Sequence, residues 1–266
     1  MLQIKSNDNY KAKEGNLMNL KNKHAFITGG GTGIGLEIAR LLAAHGAYVT
    51  VTGRRLDVLK ECATENIFPL QMDVTDEAQQ KEVIRQAVEA QGLINICVAN
   101  AGVAEGRALQ KTGMDFWRKI MATNLDGAFI TIRECMRSML EADWGRVIGI
   151  SSIAGVRGLK GAGAYSVSKH GLNGLIRSYS EEYINTHITF NSICPGYVDT
   201  PIIDFNLQEM QKRGFTKKEA LGMLVKSNRH GKLISTKEVA ATALWLCSPD
   251  SPSVTGQTIE IAGGQV

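Results

Sequence analysis

Three side chains in the middle of the sequence have the chemistry and the spacing to move a proton. Tyr165 and Lys169 stand four residues apart in the run Tyr165-Ser166-Val167-Ser168-Lys169. On a helix such a pair shares one face, so the Lys169 ammonium can lie beside the phenol and favour the phenolate. A free phenol ionises near ~10, and a neighbouring cation is one way to make it usable near neutrality. Ser152 comes thirteen residues before Tyr165, in Ser151-Ser152-Ile153-Ala154-Gly155, where a predicted strand ends. A tyrosine and lysine at this spacing are common. Their combination with a serine at a strand end and a glycine-rich turn upstream is not.

That turn reads Thr28-Gly29-Gly30-Gly31-Thr32-Gly33-Ile34-Gly35 and runs directly into an amphipathic stretch. Glycines let backbone amides approach a ligand without Cβ obstruction. The free amides and positive dipole end of the following helix suit a pyrophosphate. The candidate cofactor residues here are Gly29, Gly31, Thr32, Gly33, Ile34 and Gly35, spaced GxxxGxG rather than GxGxxG. The second strand ends Val51-Thr52-Gly53-Arg54-Arg55. A carboxylate at that strand end would bind a ribose 2′-hydroxyl, whereas arginines accommodate a 2′-phosphate. Gly53, Arg54 and Arg55 therefore favour NADP(H), with NAD(H) as the alternative. The competing reading makes both arginines solvated surface charges.

The elements that must position these groups alternate regularly. Strands are predicted over His24–Thr28, Tyr48–Thr52, Phe68–Met72, Ile94–Val98, Arg146–Ser151, Ile188–Ile193 and Thr258–Ile261. Helices are predicted over Gly35–His45, Leu56–Glu65, Asp76–Ala90, Met114–Glu141, Ala164–Tyr183 and Lys237–Leu246. Strand and helix alternating this often imply an α/β fold, a Rossmann-type doubly wound parallel sheet of about seven strands with helices on both faces. One catalytic domain covers 18–266. The polar segment at about 201–233, with scattered large apolar residues and no strand, is a candidate lid over a substrate cleft. Residues 1–17 read as a disordered extension without the apolar core of a signal peptide, and Met18 is a second candidate start.

Composition narrows the function classes. Of 266 residues, 44% are hydrophobic and 21% charged, enough apolar material for one large core. The net charge of +4 is mild and dispersed, which argues against nucleic acid as a partner. No apolar run reaches the ~18–20 residues of a membrane span, so no membrane partner is expected. The five cysteines, Cys62, Cys97, Cys135, Cys194 and Cys247, form no CxxC pair. Neither a disulfide framework nor a metal site is expected, and a reducing, cytoplasmic setting is.

On these motifs the chain resembles the short-chain dehydrogenase/reductase family. The match runs from about Leu20 to Val266 through Thr28–Gly35, Asp73-Val74, Ala99-Asn100-Ala101-Gly102, Asn124, Ser152, Tyr165/Lys169 and Pro195-Gly196 with Thr200. It departs from the usual NNAG at Ala99. The resemblance implies that Tyr165 is the general acid in reduction and the base in oxidation. Ser152 would bond the substrate oxygen, and Lys169 would hold the nicotinamide ribose and depress the phenol. Asn124 would hold a water of a proton relay. Asp73 and Val74 would lie at the adenine, Asn100, Ala101 and Gly102 at the ribose, and Pro195, Gly196, Val198 and Thr200 at the carboxamide. A homotetramer built on the two long helices is also implied.

Within the family the pattern is most similar to the β-ketoacyl thioester reductases. The expected activity is thus ketone–secondary alcohol interconversion on a small-molecule carbonyl or alcohol, including 3-oxoacyl-ACP or acyl-CoA thioesters. The alternatives are a dehydrogenase of a free hydroxy acid, sugar or steroid and, more remotely, a non-catalytic dinucleotide sensor. Where the acyl-carrier-protein reductases use two docking arginines, this chain has Asp143 and Thr186. Substrate contacts are expected from Ile153, Ala154, Val156, Gly158, Tyr197 and the lid. His24, His45 and His170 are read as surface or helix-face residues, Asp199 as a turn residue, and Trp117, Trp144 and Trp245 as packing residues.

Overall fold

The computed structural model describes residues 18–265, so the extension read over 1–17 lies outside the described residues. Seven strands form one sheet: β1 (His24–Thr28), β2 (Tyr48–Gly53), β3 (Ile67–Gln71), β4 (Ile94–Ala99), β5 (Gly145–Ile150), β6 (Ile188–Pro195) and β7 (Thr258–Ile261). All neighbours run parallel, in the order β3-β2-β1-β4-β5-β6-β7. The order reverses between β1 and β4, and a ligand crevice forms beyond the carboxyl ends of strands at such a switch point.

Side chains alternate between the two faces of a strand, and the core divides accordingly. Ala25, Ile27, Ile96, Val98, Ile148 and Ile150 pack on one face with α1 (Gly33–Ala44) and α9 (Thr236–Leu246). Phe26, Cys97, Val147 and Phe190 pack on the other with α3 (Glu77–Gln91), α5 (Gly127–Met139) and α6 (Gly163–Glu182). Burial on both faces explains why the strands read as continuous apolar runs. The helices are fixed locally as well. The Asp76 side chain accepts from Gln79 N at 2.9 Å to open α3. A capping box of Ser235 and Glu238 opens α9.

Three elements differ from the sequence expectation. The helix after β2, α2, covers only Leu56–Lys60, because turns at Cys62 and Ala63 lead into a Thr64–Ile67 bridge. The expected long helix is broken into α4 (Met114–Met121), a π-helical turn over Ala122–Asp126, and α5. The 201–233 segment is two helices, α7 (Pro201–Lys212) and α8 (Lys217–Ser227), packed around Ile203, Leu207, Ala220 and Leu224. Pro201 stands at the start of α7, where its missing N–H costs nothing.

The residues given passive readings divide. Asp199 is an exposed turn residue, as read, and its amide donates to Ile234 O. Trp144 packs beneath Lys23 and Arg146, but Trp245 is 44% exposed and packs only in part. All five cysteines are buried and free. His24 is neither a surface nor a helix-face residue; it is buried inside β1. Its ring nitrogens meet Gly92 O and Thr50 Oγ1, each at 2.9 Å, tying β1 to β2 and to the turn before β4.

Burial holds the His24 imidazole at about 4, below the ordinary 6.5. The folded chain therefore keeps it neutral at pH values where the unfolded chain protonates it. Stability from this group is complete above 6.5 and is lost as pH falls toward 4. Urea unfolding of wild type and His24→Gln at pH 7 and pH 5 should show the wild type losing about 2 kcal/mol more. Equal losses would mean that His24 does not control this part of the acid response.

Candidate active site

Two clefts open along the carboxyl edge of the sheet. One, of about 550 Å³, is lined by the glycine-rich turn, the end of β2 and the segments after β3 and β4. Gly33 opens α1 at φ 55°, a left-handed conformation that favours glycine. A Cβ at Gly35 would stand 2.5 Å from Gly29 O, so only glycine lets the turn close on the helix. Thr32, the N-cap residue, makes no side-chain bond to the helix amides, which leaves them for a ligand.

The turn is clamped to β4. Thr28 Oγ1 accepts from Asn100 N at 3.1 Å and from Ala101 N at 3.0 Å. Asn100 Nδ2 donates to Thr28 O at 2.8 Å and Gly29 O at 3.1 Å. Ala101 and Gly102 line the cleft, whereas the Asn100 side chain is turned into the clamp behind it. Thr28 is a supporting residue that the sequence reading passed over, although it heads the glycine run. Asp73 and Val74 line the same cleft. One Asp73 carboxylate oxygen accepts from Thr75 N and Thr75 Oγ1, which fixes its turn.

Arg54 and Arg55 also line this cleft. Both are exposed, and neither has an ion-pair partner among the described residues. A Cβ at Gly53 would meet only Leu59 side-chain carbons, at 3.7 Å or more, so the strand end has room for a side chain. These features fit a phosphorylated dinucleotide: free amides at a helix start, two unpaired guanidiniums and no carboxylate at the strand end.

The second cleft, of about 930 Å³, adjoins the first. Ser152 and Tyr165 line it beside Pro195, Gly196, Val198 and Thr200, with α7 and α8 on the far side. Of the residues expected to meet substrate, Ile153, Tyr197 and several of α7 and α8 line it. Ala154, Val156 and Gly158 do not; Ala154 is fully buried.

The Ser152 hydroxyl lies beside the Tyr165 phenol in this cleft and favours the phenolate. Its oxygen accepts from Ala154 N at 3.1 Å, which holds its rotamer. Lys169 is buried, donates to Ile150 O at 2.8 Å and sits 5.9 Å from the Tyr165 ring centroid. The expectation that Lys169 depresses the phenol is not met in this state of the protein. Burial raises Tyr165 above its ordinary 10, with only the Ser152 hydroxyl opposing, and burial lowers Lys169 to about 8. Desolvation disfavours the charged form of each, and the ammonium is already bonded to a strand-end carbonyl.

Asn124 sits on the π-helical turn, a type of break often found at functional sites. Its Oδ1 accepts from Val103 N at 2.8 Å, and its Nδ2 donates to Val103 O at 3.0 Å and Ser168 Oγ at 3.1 Å. A Cβ at Gly102 would stand 3.3 Å from Asn124 Oδ1 and 3.5 Å from Lys169 Nζ, so these two polar groups converge. Asn228, fully buried at the end of α8, was not singled out in the sequence, where a polar stretch hides it. Its Nδ2 donates to Tyr197 O and Lys232 O, each at 2.9 Å, and its Oδ1 accepts from Tyr197 N at 3.1 Å. It ties the lid to the 196–198 loop.

Comparison with known proteins agrees with this geometry. The family model described as short chain dehydrogenase matches residues 23–211. D-beta-hydroxybutyrate dehydrogenase of Rhizobium meliloti is 32% identical over 252 residues, covering 91% of this chain and 98% of that protein. The 3-oxoacyl-acyl-carrier-protein reductase of Thermotoga maritima is 32% identical over 255 residues, covering 94% and 100%. The crystal structure of a variant of actinorhodin polyketide ketoreductase with NADPH superposes with a TM-score of 0.87 at 30% identity, covering 91% of this chain and 97% of that one. With the strand order, the glycine-rich turn and the Ser152–Tyr165–Lys169 grouping, these matches place the chain in the short-chain dehydrogenase/reductase family of oxidoreductases.

Proposed function

We propose that this protein is an NADP(H)-dependent oxidoreductase that interconverts a ketone and a secondary alcohol, with 3-oxoacyl thioesters as the leading substrates. The observation that carries the reading is that Ser152 and Tyr165 line the larger cleft together, beside the Pro195–Thr200 segment. The similarity to the Thermotoga 3-oxoacyl reductase supports the thioester. A free hydroxy acid is the second reading, favoured by the similarity to D-beta-hydroxybutyrate dehydrogenase.

When bound, the nicotinamide supplies hydride in reduction and takes it up in oxidation. Ser152 donates a hydrogen bond to the substrate oxygen and stabilises charge there. Tyr165 gives its proton to that oxygen in reduction and removes it in oxidation. Its raised pKa keeps the proton available through neutrality, so it suits the acid role in this state. Lys169 would hold the nicotinamide ribose, and Asn124 would hold a water between Lys169 and solvent, a reading supported by the convergence of the two groups behind Gly102. Gly29, Gly31, Thr32, Gly33, Ile34 and Gly35 would hold the pyrophosphate, Asp73 and Val74 the adenine, and Pro195–Thr200 the carboxamide. The helices α7 and α8 act as a lid.

The buried free thiols support a reducing, cytoplasmic setting, and no described helix is long and apolar enough to cross a membrane. Phe129 on α5 and Val167 on α6 are 40% and 47% exposed, which supports pairing of these helices with those of other copies in a closed tetramer. Light scattering at micromolar concentration should return four copies; a monomer would refute this assembly.

Replacing Tyr165 with Phe should lower turnover at least ~100-fold, the low end for a positioned acid–base group, with cofactor still bound. Near-normal turnover would remove Tyr165 from the chemistry. In parallel, Lys169→Ala should weaken cofactor binding and move the pH profile; a moved profile with unchanged binding would leave Lys169 without its ribose contact.

NADPH should bind roughly ten- to a hundredfold tighter than NADH, from charge-assisted bonds of Arg54 and Arg55 to the 2′-phosphate. Added salt should narrow the difference. Fluorescence titration of Arg54→Ala should show weaker NADPH and nearly unchanged NADH, and Gly53→Asp should favour NADH. Tighter NADH in the unmodified protein would reassign both arginines to the solvated surface.

A further inference from the structure

The larger cleft has two unlike regions. Its wall is apolar, with Ile153, Leu159, Ile203, Met210 and Phe215 among its lining residues. Phe205, Phe215 and Met223 of the lid segment are 46%, 38% and 49% exposed, and all three line this cleft. Apolar surface of this size, left open on a buried-core protein, calls for an apolar ligand body. The volume also exceeds what a few-carbon hydroxy acid would fill, even after the nicotinamide end takes its share.

The charged residues of the cleft are of the opposite kind. Arg107, Lys111, Lys160 and Arg213 all line it and are all exposed. They come from three separate segments: the loop after β4, the loop before α6, and the end of α7. None has an ion-pair partner among the described residues. Arg107 is held instead by its guanidinium stacking 4.1 Å over the Phe116 ring. The two carboxylates that line the cleft are already neutralised, Glu105 by Lys119 and Glu209 by Lys212, each at 2.6 Å. The cleft is thus left with uncompensated positive charge beside low-dielectric walls, an arrangement that focuses a field on an approaching anion.

We propose that the substrate carries a negatively charged group remote from its carbonyl, received by Arg107, Lys111, Lys160 and Arg213, while the apolar wall takes the body between. This rests on the reading of the site as a ketone–alcohol oxidoreductase and adds the chemical class of the substrate. A phosphate-bearing acyl thioester and the carboxylate of a long free oxo acid share this chemistry. The charge acts through exposed side chains, so it should govern capture and respond to salt.

Two matched pairs of substrates test this with NADPH. One pair is acetoacetyl-CoA and the neutral S-acetoacetyl-N-acetylcysteamine. The other is a long methyl-ketone carboxylate and its methyl ester. In at least one pair, the anionic member should exceed the neutral one about tenfold in kcat/KM at low salt. The ratio should collapse at high salt and in the Lys160→Gln/Arg213→Gln and Arg107→Gln/Lys111→Gln variants. A preference confined to the first pair identifies the phosphate-bearing thioester, and one confined to the second identifies the free oxo acid. Equilibrium titration of the same pairs against the protein saturated with NADP reads the same ratio without turnover. Binding ratios near one in both pairs, or ratios that ignore salt and both variants, overturn the anionic-substrate inference. Absence of reduction with the binding ratio intact overturns the oxidoreductase reading alone.

Discussion

The site depends on a clamp between the ends of two adjacent strands. Thr28 closes β1 and Asn100 follows β4, and four hydrogen bonds join these residues and their immediate neighbours. The sheet reverses its strand order here, so the crossovers diverge and leave a crevice that no element fills. Without the clamp, the glycine-rich turn would be held only from the β2 side, by Gly30 N to Thr52 O and Cys62 Sγ to Gly31 O, because glycines bring no side chains of their own. The turn's freedom and its ligand-facing amides come from the same residues, and the cross-strand bonds convert that freedom into one geometry.

A second constraint is desolvation at the catalytic set. Burial moves Tyr165 and Lys169 in opposite directions, and in both cases it favours the uncharged form. The Lys169 ammonium is kept in place by the carbonyl at the end of β5, so the strand's own backbone serves as its acceptor. Ser152, at the head of the next turn, is oriented by Ala154 N. Proton chemistry and sheet geometry are therefore coupled: the end of β5 supplies both the acceptor for Lys169 and the serine that meets the phenol.

How much of this could be read from sequence follows from the range of each signal. The strands were visible because a sheet buried on both faces writes continuous apolar runs, and the Tyr165–Lys169 spacing was visible because helical periodicity is local. The π-helical turn at Ala122–Asp126 was not, and the bonds that Asn124 makes from it reach Val103 and Ser168, far along the chain. His24 was misplaced for the same reason: its partners, Thr50 and Gly92, meet it only in the folded sheet. Asn228 and Thr28 support the site through contacts that no spacing records. The lid's helices were hidden by their polar faces, although the Thr216 and Glu219 capping box of α8 is a local signal that could have marked one of them.

The Asn228 clamp has a mechanical consequence for traffic through the cleft. Two of its bonds join the trailing end of α8 to Tyr197 in the 196–198 loop and a third holds Lys232 O, at a position shut off from water. Each such bond left unmade in a buried place costs roughly 1–3 kcal/mol, so that end of the lid is an anchor. The opposite end turns at Gly214, at φ 97°, where an added Cβ would meet nothing within 4 Å. Any opening of α7 and α8 would therefore act as a cantilever, with its root at Asn228 and its tip at the α7–α8 turn, where Arg213 and Phe215 line the cleft.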